Sequence, residues 1–188
     1  MSFKTFFFSA IVSLGFVTTQ AQTAIPEGFA KGSITLPNNT VINGYIKNNI
    51  KKSAAVVFMD EAGTKKTYEG NAINGVSING DNYTCISGDF FKIICAGKLN
   101  FLQKASNAAG TTTYNGSEPV LIAGTEGKPG DYFSYTNNHL KILNKKSMES
   151  FISNELNGCS AAVEKAKAID GDIARLKEAV DIYNSSSN

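Results

Sequence analysis

Tryptophan is absent from the 188 residues, histidine occurs once and cysteine three times. A single histidine, His139, excludes any site built on several imidazoles, including the common catalytic zinc arrangements. A Ser-His-Asp or Cys-His site would have to use it, and no partner stands near it in sequence; alone in a predicted strand it reads as structural or solvent-facing. Charge of one sign is equally scarce. Lys and Arg number 18 against 16 Asp and Glu, and no run of one sign exceeds two residues. Nucleic acid needs a basic stripe to neutralise phosphates, and an anionic membrane needs a polybasic patch; the sequence supplies neither. The closest acidic groups, Asp60-Glu61, Asp81 and Asp170-Gly171-Asp172, lack the ligand spacing of a calcium loop. The expectation is a fold that needs no metal and no cofactor.

Long apolar runs are also missing. The one that stands out, Phe6 to Val17, is too short for the ~20 residues of a spanning helix. Lys4 precedes it, and Thr18 to Ala21 follow as a small, polar segment. Thr19 and Ala21 satisfy the small-x-small rule, so residues 1–21 read as a cleavable signal peptide cut between Ala21 and Gln22. No cysteine lies near the cut, which argues against a lipoprotein. The expected mature chain, residues 22–188, has the size of one domain, carries no membrane span and works in the periplasm or beyond.

What is abundant is Asn, Gly, Ser and Thr in a period-two pattern. Strands are predicted at 29–36, 40–47, 54–59, 65–69, 75–78, 81–86, 90–95, 98–104, 119–123, 132–136 and 139–143, with a polar loop at 105–117. Asn79-Gly80 is the strongest hairpin signal, because both residues tolerate the positive φ of a type I′ turn; Asn137-Asn138 is a second. After Leu143 the period changes. Ser147 is placed to cap a helix through Met148, Phe151, Ile152 and Leu156, ended by Asn157-Gly158. Ile169, Ile173, Leu176, Val180 and Tyr183 then form one apolar stripe on a last helix begun by Asp170 and Asp172. The expected fold is α+β: mainly antiparallel β, a sandwich or roll of about 8–11 short strands at 29–143, then two or three helices packed on the sheet at 144–188.

Two glycine-rich segments imitate catalytic loops. Gly75 to Gly80 has the second glycine one place too late for a nucleophile elbow, and sits between strands. Gly124 to Gly130 lacks the spacing and the Ser or Thr of a phosphate loop. Both read as turns. Cys85, Cys95 and Cys159 are an odd set. In a tight hairpin Cys85 would face residue 91 or 92, leaving Cys95 three or four residues farther and beyond the ~7 Å Cα limit of a disulfide; buried free thiols are expected. The Asn-x-Ser/Thr sequons at Asn38, Asn82, Asn115 and Asn184 arise readily in so Asn-rich a chain.

The segments "GSITLPNNTVINGYI", "TYEGNAINGVSINGDNYT", "FKIICAGKLNFL" and the terminal "VDIYN", with Cys159, resemble a group of small exported proteins of Bacteroidetes-type bacteria. Members share a strand pair ending in Gly-x-Ile, a hairpin ending in Tyr, and a closing helix ending in Tyr-Asn. The resemblance implies compartment and fold and no activity. In that pattern a cysteine often follows Tyr-Asn; here Ser185 to Ser187 follow, so Cys159 has no such partner.

Two functional expectations emerge. The first is a non-enzymatic envelope protein, a binding or accessory module for a protein or glycan, using some of Tyr45, Tyr68, Tyr83, Tyr114, Tyr132 and Tyr135. Tyr45, Tyr68, Tyr114 and Tyr132 are the named candidates for a partner surface; the plainer reading is that such tyrosines are half-buried strand residues. The second is a hydrolase of envelope or extracellular glycans with a dispersed pair of carboxylates, which can meet only in the fold.

Overall fold

The period-two segments become twelve antiparallel strands among the described residues. The computed structural model describes residues 25–108, 111–116, 118–122 and 124–186, the strands at 111–115 and 118–122 by their backbone alone. The proposed leader with its Ala21–Gln22 cut lies outside them. In chain order the strands are β1 (Ala30–Thr35), β2 (Val41–Asn49), β3 (Ala55–Met59), β4 (Lys65–Glu69), β5 (Gly75–Ile78), β6 (Asp81–Ile86), β7 (Asp89–Cys95), β8 (Asn100–Lys104), β9 (Thr111–Asn115), β10 (Glu118–Ile122), β11 (Tyr132–Thr136) and β12 (His139–Leu143). Ten form one sheet, ordered β12-β11-β8-β7-β6-β5-β1-β2-β3-β4, and β9 pairs with β10 apart from it. The count passes the expected range because Thr111–Asn115, expected as loop, pairs residue for residue with β10.

Turn chemistry sets the registers. Asn79 and Gly80 take φ of 51° and 87° between the paired Ile78 and Asp81, and Asn137 and Asn138 take 48° and 62° between Thr136 and His139. Ser87-Gly88 closes β6 on β7 just as tightly, so Cys85 faces Phe90 rather than residue 91 or 92. Cys95 is thereby farther still along the strand, and all three cysteines are free.

The sheet curls at its β4 end. Ile34, Ile46, Val56, Phe58, Val76, Ile78 and Phe90 point to one face and form a single buried cluster. Burying a side chain of that size is worth about 1.5 to 3 kcal/mol. An isolated bridge between Gly70 and Gly88 ties the chain just after β4 to the β6–β7 turn. A Cβ on Gly70 would lie 2.2 Å from the Gly88 carbonyl oxygen, so this closure requires glycine.

Helices cover the same face at the other end. A one-turn helix, α1 (Ile50–Ser53), follows β2; α2 (Met148–Glu155), α3 (Ser160–Lys167) and α4 (Leu176–Ser185) follow the sheet. Phe151, Leu156, Ala162, Ala166, Ile169, Leu176 and Val180 pack with Cys95, Leu99, Phe101 and Leu143 of the sheet, and Ile173 and Tyr183 join them. The predicted stripe therefore does lie on the β half. Asp172 starts the last helical segment, its Oδ1 accepting from Ala174 N at 3.2 Å, through a 3-10 turn at Ile173–Arg175. Asp170 instead occupies the preceding turn at φ 50°. Ser147 does not cap α2 with its side chain; its Oγ donates to Ile142 O at 3.0 Å and accepts from Asn144 N at 2.9 Å.

A side-chain amide fastens α4. Asn184 Oδ1 accepts from Leu99 N at 3.0 Å and Nδ2 donates to Leu99 O at 2.8 Å, as a neighbouring strand would. Gly97 leaves room for it, since a Cβ there would meet Asn184 Cγ at 2.4 Å.

Candidate functional site: a polar groove on the outer face

The face opposite the curled core is built by the same alternation. Lys31 and Ser33 flank Gly32 on β1, Asn43 and Tyr45 flank Gly44 on β2, and Ser77 stands between Val76 and Ile78 on β5. Register then aligns them. Asn43, Ser33 and Ser77 are cross-strand neighbours in one row, and Lys31 faces Tyr45 in the next. With Glu61 from the β3–β4 turn they line a groove of about 530 Å³. None of these six side chains hydrogen-bonds or ion-pairs with another described residue. The groove thus offers one ammonium, one carboxylate, an amide and three hydroxyls, all uncommitted, beside a half-buried aromatic ring. Its size falls within the range of small-ligand sites.

The tyrosines named from sequence do not come together. Tyr45 lines the groove. Tyr68 meets Phe58 edge-on, with ring centroids 6.4 Å apart, beside the curled core. Tyr132 stacks on Phe101 at 5.2 Å beneath the helices. Tyr114 lies on β9 opposite Pro119, and its side chain falls outside the described residues. Tyr83 packs on the curled core and Tyr135 on the small cluster of Phe91, Leu102 and Phe133. His139 is exposed at the start of β12.

The chain's strongest polar constellation escaped the sequence. Asp89 and Lys104 form an ion pair at 3.2 Å with both side chains 1% exposed. Asp89 also accepts from Ser106 Oγ at 3.0 Å, Ala108 N at 2.6 Å, Thr125 N at 3.0 Å and Thr125 Oγ1 at 2.6 Å. Lys104 Nζ donates to the carbonyls of Thr125, Glu126 and Gly127 at 2.7, 3.0 and 3.1 Å. Burial pushes the Asp89 carboxyl up, and the bonds from Thr125, Ala108 and Lys104 more than reverse this, leaving it below its ordinary value. The segment that imitates a phosphate loop therefore turns carbonyls, not N–H groups, toward a cation of its own chain. Every group in this network is committed, so we read it as a structural latch holding the segments at 105–108 and 124–127 to the sheet.

Two of the three thiols, Cys85 and Cys95, sit in surroundings that disfavour the thiolate. Burial pushes Cys85 up to about 12. Burial, then the hydrogen bond to Asp181, does the same to Cys95, up to about 12. Among the described residues no three His, Cys, Asp or Glu side chains converge as a metal set, and no helix is long and apolar enough to cross a membrane. A second groove, about 630 Å³, lies between α2 and α3; its members Met148, Ile152 and Val163 belong to the helix-covered core, and it is the seam between packed helices. No family model, curated protein or solved structure matches this chain.

Proposed function

We propose that the protein is an exported envelope protein acting as a non-enzymatic binding module, with its ligand held in the groove around Tyr45. The observation that carries this reading is the convergence, by strand register, of Lys31, Ser33, Asn43, Tyr45, Glu61 and Ser77 with none of their side chains engaged elsewhere among the described residues. An aromatic ring beside hydroxyl, amide and charged groups suits a glycan: the ring packs on the C–H face of a sugar while the polar groups bond its hydroxyls. The groove is lined by one carboxylate, Glu61, whereas glycoside hydrolysis uses two flanking the scissile bond. That composition favours binding over hydrolysis.

The test is an amide chemical-shift titration of the mature protein with a panel of neutral and charged oligosaccharides. Shifts centred on residues 31–33, 43–45 and 77, lost in Tyr45→Ala, are expected. Binding elsewhere, or none across the panel, overturns the assignment. Export is tested separately by intact mass of the cell-envelope protein, which should begin at Gln22; a mass retaining residues 1–21 refutes cleavage.

A further inference from the structure

One buried polar atom among the described residues has no partner: Ser134 Oγ, on a residue 1% exposed in β11. It faces α2, because Ser134 pairs with Phe101 on β8, whose ring lies in the helix-covered core. It is also directly opposite Lys141 on β12. Between these strands and α2 is a cavity of about 70 Å³, lined by Ser134 together with Lys141, Ser150, Phe151, Asn154 and Glu155. Lys141 Nζ and Glu155 Oε1 pair across it at 2.5 Å, and the Glu155 side chain is only 13% exposed.

A buried hydroxyl without a partner loses its bonds to water and gains none in return, which disfavours the fold. Buried groups of this kind are normally bonded, to protein or to ordered water. The cavity meets both requirements for water. Its lining sets hydroxyl, amide and carboxylate groups among the apolar Ile142, Leu143 and Phe151, enough to give a water its partners, and it has room for about two molecules at the ~30 Å³ each occupies in the liquid. It is too small for a sugar or a peptide side chain, which excludes reading Ser134 and Lys141 as a catalytic pair acting on a polymer.

We propose that this cavity is a water-binding site, in which one or two ordered waters bond Ser134 Oγ and bridge β11 and β12 to Ser150, Asn154 and Glu155 of α2. The waters complete the polar contact between sheet and helix, with the Lys141–Glu155 pair at its edge. This inference is independent of the groove around Tyr45.

A crystal structure of the mature protein at a resolution that orders solvent tests it directly. Density for one or two waters within hydrogen-bond distance of Ser134 Oγ is expected. A dry cavity, or a Ser134 hydroxyl turned onto a protein acceptor, overturns it. Thermal melts of Ser134→Val give a second readout. Removing a water's anchor should lower Tm, by about 2 to 4 °C for each kcal/mol in a chain of this size. In a dry cavity the same change removes an unpartnered hydroxyl and fills space, so an unchanged or raised Tm also overturns the proposal.

Discussion

On the β1–β6 side of β7 the sheet covers its own apolar face by curling; on the side of β8, β11 and β12 three helices cover it. The first solution relies on close backbone approach, as at Gly70 and Gly88, and leaves its outer face free for the polar groove. The second needs about forty further residues and leaves its opposite face to the small cluster of Phe91, Leu102 and Phe133. β7 belongs to both. Phe90 enters the curled core, Phe91 the opposite face and Cys95 the helix-covered core. A bulge between Ile93 and Cys95 restores Cys95 to the face of Phe101. The lesson is that one strand, with one irregularity, lets two burial strategies share a single sheet.

The most damaging way to break this arrangement is at the strand both regions share. Asp89→Ala leaves the Lys104 ammonium buried without its counter-charge, and should cost about 3 to 5 kcal/mol in urea denaturation. The double variant Asp89→Leu with Lys104→Met should recover most of that loss; failure to recover would mean the segments need the polar network itself. The effect depends on pH. Asp89 is held below its ordinary value in the fold, so its contribution is present above the unfolded-state value of ~3.9 and disappears as pH falls through the lower folded value. The gap between wild type and Asp89→Ala should therefore be constant near neutrality and shrink below about pH 4.

On the helix-backed side, Leu176→Ala removes a fully buried side chain and should cost about 2 to 5 kcal/mol. Because β7 joins the two regions, the melt should remain one transition. Two separated transitions would show that the regions unfold independently, and an unchanged melt would show that the stripe serves a partner instead.

The smallest of the three effects sharpens the curled side. Gly70→Ala drives a Cβ into the Gly88 carbonyl and should cost about 1 to 3 kcal/mol. Amide exchange should quicken in β4 and at the β6–β7 turn while the α4 amides keep their protection. Equal loss of protection in α4 would show that α4 exchanges only when the whole sheet unfolds, with no local opening confined to the curled side.

What was legible in the sequence is what local chemistry decides. Asn79-Gly80 announces its turn because few residue pairs accept that backbone, and the stripe from Ile169 to Tyr183 announces its face because large apolar residues mark it. Two or three helices are expected after Leu143, but the sequence does not place the one at Ser160–Lys167, since its buried positions are Ala162 and Ala166, too small to raise an apolar signal. Its run of Ala, Glu and Lys, strong helix formers, was the available cue. β9 reads as polar loop, although Thr111, Thr112 and Thr113 are β-branched and suit a strand. Asp89 and Lys104 look like ordinary surface charges until β6, β7 and β8 come into register. The groove is similar: the sequence singles out Tyr45 for its ring alone, while Lys31, Ser33, Asn43 and Ser77 gain meaning only from the pairing of three strands.

The Asn184 clasp has a consequence for the order in which the molecule can be built. Synthesis delivers the β strands first, so Leu99, Phe101 and Leu143 emerge long before the residues that cover them. Until Asn184 arrives, the β7–β8 connection lacks the amide that pairs with Leu99. While α4 is incomplete that bond cannot form, and the part of the apolar face that Leu176, Ala179 and Val180 cover stays open. The sheet face beneath α4 is thus closed only once Asn184 has been made, however early its strands pair.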